Sequence, residues 1–279
     1  MTAIIRDGGG FRYHSPVRRR TTPERVPLMR LATTGLAAMI LALMFAPGVQ
    51  AQPQHSGSGA GASEPRRPYD LKSFGAYRAV LLAGDFSAKV GLAAAVAHRP
   101  STGVGAVSDA RGEITIHDGR LIVSYGKPSG RVAEESETAA LLAVATAPAW
   151  QTITLDNDVA PEELDGFLAR VARDRGLDPE GPFPFQARGT VAPYIMHVNA
   201  APTNGPHGMG HAAAITVESK GDAIAGAVAG IFVSPDLVGV VSHGGTRTHS
   251  HWVAPDGSAT AHLDRWGLKA GTVLSLPAR

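Results

Sequence analysis

Apolar and polar positions in this 279-residue chain follow one rule before about residue 180 and another after it. Residues 161–175 give the clearest helix, with Leu164, Phe167, Leu168 and Val171 at i, i+3, i+4 and i+7. Pro161 suits the first helical position, Glu162 and Glu163 suit the positive end of the helix dipole, and Gly176 suits the C-terminal cap. Residues 87–98 read as a shorter helix ended by Arg99-Pro100, and the alanine- and leucine-rich residues 136–145 read as another. Between these two, residues 112–117 and 120–125 flank Asp118-Gly119; Asp-Gly between alternating apolar runs signals a two-residue hairpin. Residues 151–155 read as a strand. From about residue 183 alternation takes over, and strands are expected at 185–198, 211–218, 224–233, 247–253, 259–264 and 268–276. Helices early and strands late imply an α+β fold of mixed, largely antiparallel sheets with a few short helices.

The first fifty or so residues follow neither rule. Arg18, Arg19, Arg20, Arg25 and Arg30 precede an apolar run over residues 31–46, and Val49-Gln50-Ala51 then offers a small-x-small cleavage site. Residues 1–51 therefore read as a secretory signal peptide, and the protein as exported, periplasmic or secreted. The run is about 15 residues where ~20 are needed to span a bilayer, so no stable membrane span is expected after cleavage. Met29-Arg30 with the run behind it is itself a compact signal peptide, which makes Met29 a candidate true start. Residues 52–75 have linker composition. Residues 76–279 remain as one domain, long enough for a substantial core.

Removing the leader also changes the charge. It carries seven of the 26 basic and two of the 24 acidic residues, leaving 19 and 22, about −3 net. With no basic stripe, nucleic-acid binding is excluded as a function class. The absence of cysteine excludes disulfides and thiolate chemistry.

Seven of the eleven histidines lie between residues 197 and 262. His249, His251 and His262 have the spacing H-x-H-x10-H. Residues two apart on a strand share a face, so His249 and His251 project together, and a hairpin could bring His262 to meet them. Three neutral imidazoles with a fourth position open is a catalytic zinc arrangement. Register tests the idea. A three-residue loop would pair His262 with Ser250, on the wrong face, whereas a four-residue loop pairs it with His249 or His251. The alternative is a strand whose histidines face water, and alternation alone does not separate the two. His207 and His211 flank a glycine-containing loop, His117 sits at a hairpin turn and reads as surface, and His243 beside Gly244-Gly245 could line a site mouth.

The stretch Gly226 to Pro235, then Gly245-Thr-Arg-Thr-His249-Ser-His251-Trp, then His262-Leu-Asp, resembles the alpha-acetolactate decarboxylase family. Leu82-Ala-Gly84-Asp85-Phe86, Gly103-Val-Gly105, Gly112-Glu113, Asp118-Gly119 and Gly189-Thr190-Val191 extend the resemblance, in order, over most of residues 80–276. It implies that His249, His251 and His262 hold Zn2+ and that Glu113 is the carboxylate facing the metal. It also implies a small-molecule 2-hydroxy-3-oxo acid substrate, 2-acetolactate, decarboxylated to acetoin and CO2. On that reading zinc is the electron sink for the departing CO2, and Glu113 is the acid that delivers a proton.

Two departures stand out. The family's substrate-contacting arginine falls at His197 here, with Arg247 or Arg188 as substitutes; odd spacing with His249 would put Arg247 on the ligand face. Seventeen residues follow His262, too few for the family's C-terminal tail, which brings another glutamate into the site. Two other readings stay open: a zinc-dependent ester hydrolase, and an exported metal- or ligand-binding module without catalysis. The sequence leaves the oligomeric state open, a homodimer included.

Overall fold

The computed structural model describes residues 67–128, 137–200 and 215–279. The leader, most of the linker and the segment with His207 and His211 lie outside the described residues. Among the described residues, thirteen strands form two antiparallel sheets, and three short helices flank them. The α+β expectation holds.

The first sheet runs in the order β1 (Asp70–Phe74), β6 (Thr138–Thr146), β3 (Thr102–Val107), β4 (Glu113–His117), β5 (Arg120–Ser124), with β2 (Val90–Gly91) also on β6. Asp118 and Gly119 join β4 to β5 with φ of 49° and 76°, the positive values that this two-residue turn requires. The segment read as a linker ends before residue 75, because Asp70–Phe74 pairs along the whole of its length with β6. Helix α1 (Tyr77–Ala83) was not expected, and the helix expected over 87–98 is confined to α2 (Leu92–Val96) behind β2.

The largest correction is β6. Residues 136–145 read as a helix, yet 138–146 form a strand. Its alternation is hidden because both faces are buried. Leu142 and Val144 pack with Leu92, Ile114 and Ile116, while Ala143 and Ala145 pack with Ala229 and Ile231 of the second sheet and with Val233 just after β10. A strand covered on both sides reads as a continuous apolar run, and tertiary packing overrides the helix preference of alanine and leucine.

The second sheet contains β7 (Trp150–Thr154), β8 (Phe183–Ala200), β9 (Ile215–Gly221), β10 (Ile224–Phe232), β11 (Thr248–Val253), β12 (Thr260–Leu268) and β13 (Val273–Pro277). Its 18-residue β8 pairs with β10 along its first half and with β12 along its second. Since β10 also pairs with β11, and β11 with β12, the four strands close a ring. Helix α3 (Leu164–Asp174) lies over the core of this sheet with Leu164, Leu168, Val171 and Ala172 buried. It ends where expected. Gly176 is at φ 78°, its N–H donates to the Arg173 carbonyl, and the Leu177 N–H donates to the Ala172 carbonyl, the Schellman pattern.

The β11–β12 hairpin sets the register that the histidines depend on. The Ala254 N–H donates to the Ala259 carbonyl at 2.9 Å, so residues 255–258 form a four-residue loop. His262 is thereby placed opposite His251. Within the loop the Gly257 N–H closes a turn onto the Ala254 carbonyl, with Gly257 at φ 71°. A side chain at Gly257 would be strained. Gly257→Ala is expected to lower stability by about 1 kcal/mol, measurable as a shifted urea midpoint with unchanged slope.

Candidate metal centre

The site is a row across the second sheet. Ala229 on β10 pairs with His251 on β11, His251 with His262 on β12, and His262 with His197 on β8. His249 sits two residues before His251 and shares its face. Between Leu263 and Arg265 the β12 register shifts, leaving Asp264 as the extra residue of a bulge beside His262 and His197.

His249, His251 and His262 are 3%, 0% and 4% exposed, so the solvated-strand alternative does not describe them. One ring nitrogen from each lies within 4.8 Å of the others, and the Nε2 atoms of His249 and His251 are 3.3 Å apart. Nε2 of His262 is buried without a hydrogen-bond partner, while its Nδ1 faces the Asp264 carboxylate. Burial lowers the pKa of all three imidazoles, and their mutual repulsion as cations lowers those of His249 and His251 further. They are thus neutral, with lone pairs available. Buried acceptors with nothing to accept from are costly, and a divalent cation satisfies such a set. The three histidines fit a metal ion.

Glu113 reaches this cluster from the first sheet and is 2% exposed. One carboxylate oxygen accepts the Asn199 N–H at 3.0 Å and lies 3.7 Å from His197 Nε2. The other lies 3.8 Å from His251 Nε2. Burial pushes its pKa up to about 7, partly opposed by His197 and the Asn199 hydrogen bond. The carboxylate named from sequence, some 140 residues upstream of the triad, is therefore against it.

His197 Nδ1 is 2.7 Å from Asp264 Oδ2, and Asp264 Oδ1 is 3.3 Å from His262 Nδ1. Burial alone would lower the His197 pKa, but the Asp264 hydrogen bond and the Glu113 charge outweigh it and raise the value. His197 thus lies between two carboxyl groups, those of Asp264 and Glu113. His243 also belongs here, with its ring stacked 4.3 Å from that of His262 and 4.1 Å from that of Tyr77, whose hydroxyl is 3.1 Å from His243 Nδ1. Burial pushes the His243 pKa down to about 3. Asp264 and Tyr77 were not anticipated. The i, i+2 spacing of His262 and Asp264 was a usable signal for the first.

Arg247 is not in the site. Its guanidinium stacks 4.3 Å from the Phe232 ring and donates to the Val233 and Pro179 carbonyls. Its odd spacing from His249 does not put it on the ligand face, because regular strand begins only at Thr248. Arg188 is exposed and paired with Asp118 at 2.9 Å. His117 is a further correction: it is buried, at 8% exposure.

Two packed antiparallel sheets, three buried imidazoles converging from one and a carboxylate from the other define a β-rich protein with a candidate metal centre between its sheets. The profile of the alpha-acetolactate decarboxylase family matches residues 76–276, and the chain belongs to that family, one of carboxy-lyases acting on a small molecule. Solved structures agree in fold. Acetolactate decarboxylase from Bacillus subtilis strain 168 is 11% identical with a TM-score of 0.58, covering 74% of this chain and 85% of that one. A structure from Bacillus subtilis subspecies spizizenii is 12% identical with a TM-score of 0.58, covering 75% and 86%. A Staphylococcus aureus protein of unknown function, described as similar to alpha-acetolactate decarboxylase, is 14% identical with a TM-score of 0.56, covering 74% and 84%. No curated protein matches the chain significantly in sequence. Among the described residues no helix is long and apolar enough to cross a membrane.

Glu113 makes metal-free stability depend on pH. Its folded pKa of about 7 lies above the ordinary 4.5, so stability present below 4.5 is lost as pH rises through 7. Relative to Glu113→Gln, the metal-free wild type is expected to lose up to about 3 kcal/mol across that window, read from urea unfolding at a series of pH values. A pH-independent difference would contradict this.

Proposed function

We propose that the protein is a zinc-dependent decarboxylase of 2-acetolactate, or a related 2-hydroxy-3-oxo acid, releasing CO2 and acetoin. The observation that carries this reading is Glu113, set by the first sheet against three buried histidines of the second. His249, His251 and His262 would hold the ion. When bound, zinc supplies Lewis acidity toward the ketone and hydroxyl oxygens, which lets the electrons left by departing CO2 move into the ketone.

The chain's own groups do the rest. His197, whose Nδ1 pairs with the Asp264 carboxylate, would offer a positive charge for the substrate carboxylate where the family has an arginine. It is a single-point contact and orients a carboxylate less rigidly than a bidentate guanidinium. Glu113 carries the proton. Its Asn199-bonded oxygen is fixed, and the oxygen facing His251 is free to carry hydrogen. The raised pKa keeps that proton in place near neutrality until the carbon that has lost CO2 accepts it. Burial of the site keeps bulk water from donating in its place. The leader pattern of residues 1–51 supports export, so the reaction would take place outside the cytoplasm; N-terminal sequencing of protein recovered from periplasm and medium tests this, and an intact leader would contradict it.

Purified protein is expected to carry about one zinc per chain and to form acetoin from acetolactate. His249→Ala should lose both metal and activity. Glu113→Gln should keep the metal while kcat falls about 10²- to 10⁴-fold. Metal bound without acetoin formation would contradict the substrate assignment, and correctly folded protein that takes up no zinc would contradict the whole reading.

A further inference from the structure

The tautomer of His251 is set by a chain of hydrogen bonds that crosses from one sheet to the other. His251 Nδ1 is 2.8 Å from Thr115 Oγ1 on β4. Thr115 Oγ1 is 2.6 Å from Thr260 Oγ1 on β12, and Thr260 Oγ1 is 2.8 Å from the Trp252 carbonyl oxygen. His251, Thr115 and Thr260 are each 0% exposed, so no bulk water competes for these groups.

The protons can be counted from the far end. A carbonyl oxygen only accepts, so the single Thr260 hydroxyl hydrogen goes to Trp252. Thr260 Oγ1 must then accept in its contact with Thr115, which commits the single Thr115 hydrogen. Thr115 Oγ1 can therefore only accept from the imidazole. His251 carries its hydrogen on Nδ1, and Nε2, which faces His249 Nε2 and Glu113, is left with a bare lone pair.

We propose that Thr115 and Thr260 are positioning residues that fix His251 as the Nδ1–H tautomer and so prepare Nε2 to bind a metal. This rests on the reading of His249, His251 and His262 as metal ligands and names the groups that ready one of them. Thr115 follows Glu113 by two residues on β4 and shares its face, so one strand delivers both the carboxylate and the acceptor that orients the facing histidine. Outer partners of this kind commonly alter metal affinity by about 10- to 100-fold.

The test uses the full chain and two readouts. Nitrogen-15 NMR of the metal-free protein reports the tautomer, and competition with a chromophoric chelator reports zinc affinity. Wild type should show His251 protonated on Nδ1. Thr115→Val should lose that state and weaken zinc binding about 10- to 100-fold, and Thr115→Ser, which keeps the hydroxyl, should restore both. Thr260→Val gives a sharper result. It frees the Thr115 hydrogen to point at Nδ1, so His251 should switch to the Nε2–H form, which a purely structural role would not produce. Wild-type His251 protonated on Nε2, or unchanged tautomer and affinity in both valine variants, would overturn the proposal. Wild type that binds no zinc would sink the metal reading alone, since the NMR comparison still decides the role of the two threonines.

Discussion

Three imidazoles packed into one buried space have too few hydrogen-bond partners between them, and the rest of this structure is arranged around that constraint. Each unpartnered buried polar group costs about 1–3 kcal/mol, against a total stability on the order of 5–15 kcal/mol. A domain that keeps such groups together holds an unfavourable arrangement that a divalent cation would reverse. The two-sheet architecture makes it tolerable: the strand ring of the second sheet holds the histidines in register, and the apolar cluster around Ala143, Ala145, Ile231 and Val233 clamps the first sheet over them.

The same clamp supplies the chemistry. β4 turns Ile114 and Ile116 into one core and Glu113 and Thr115 toward the histidines. The alternation that builds the sheet thus also sorts functional from structural side chains. Because Glu113 and His251 come from different sheets, their separation is set by sheet packing and not by any local turn. His197 and Asp264 extend the site along the second sheet and pair with each other beside Glu113.

Much of this was legible in the chain because it depends on local period and loop length. The Asp118-Gly119 hairpin, the 161–175 helix with its glycine cap, and the requirement for a four-residue loop before His262 all follow from short-range rules. The missing parts depend on contacts distant in sequence. The strand at 138–146 resembles a helix until both of its covered faces are known. Arg247 satisfies the spacing for the ligand face, but the regular strand starts one residue too late to hold it there. Asp264 enters through a bulge, and the link from Thr115 to His251 spans 136 residues. Family resemblance located Glu113 where spacing could not, since nothing local ties it to the triad.

The proposed function depends on the three histidines forming a metal centre completed across the sheet interface. Anomalous diffraction from crystals grown with zinc tests it most directly. One zinc peak is expected at ~2.0–2.1 Å from a ring nitrogen of each of His249, His251 and His262, with His251 bound through Nε2 and Glu113 facing the ion. A zinc-free cluster in folded protein, or zinc held only elsewhere on the molecule, would contradict it.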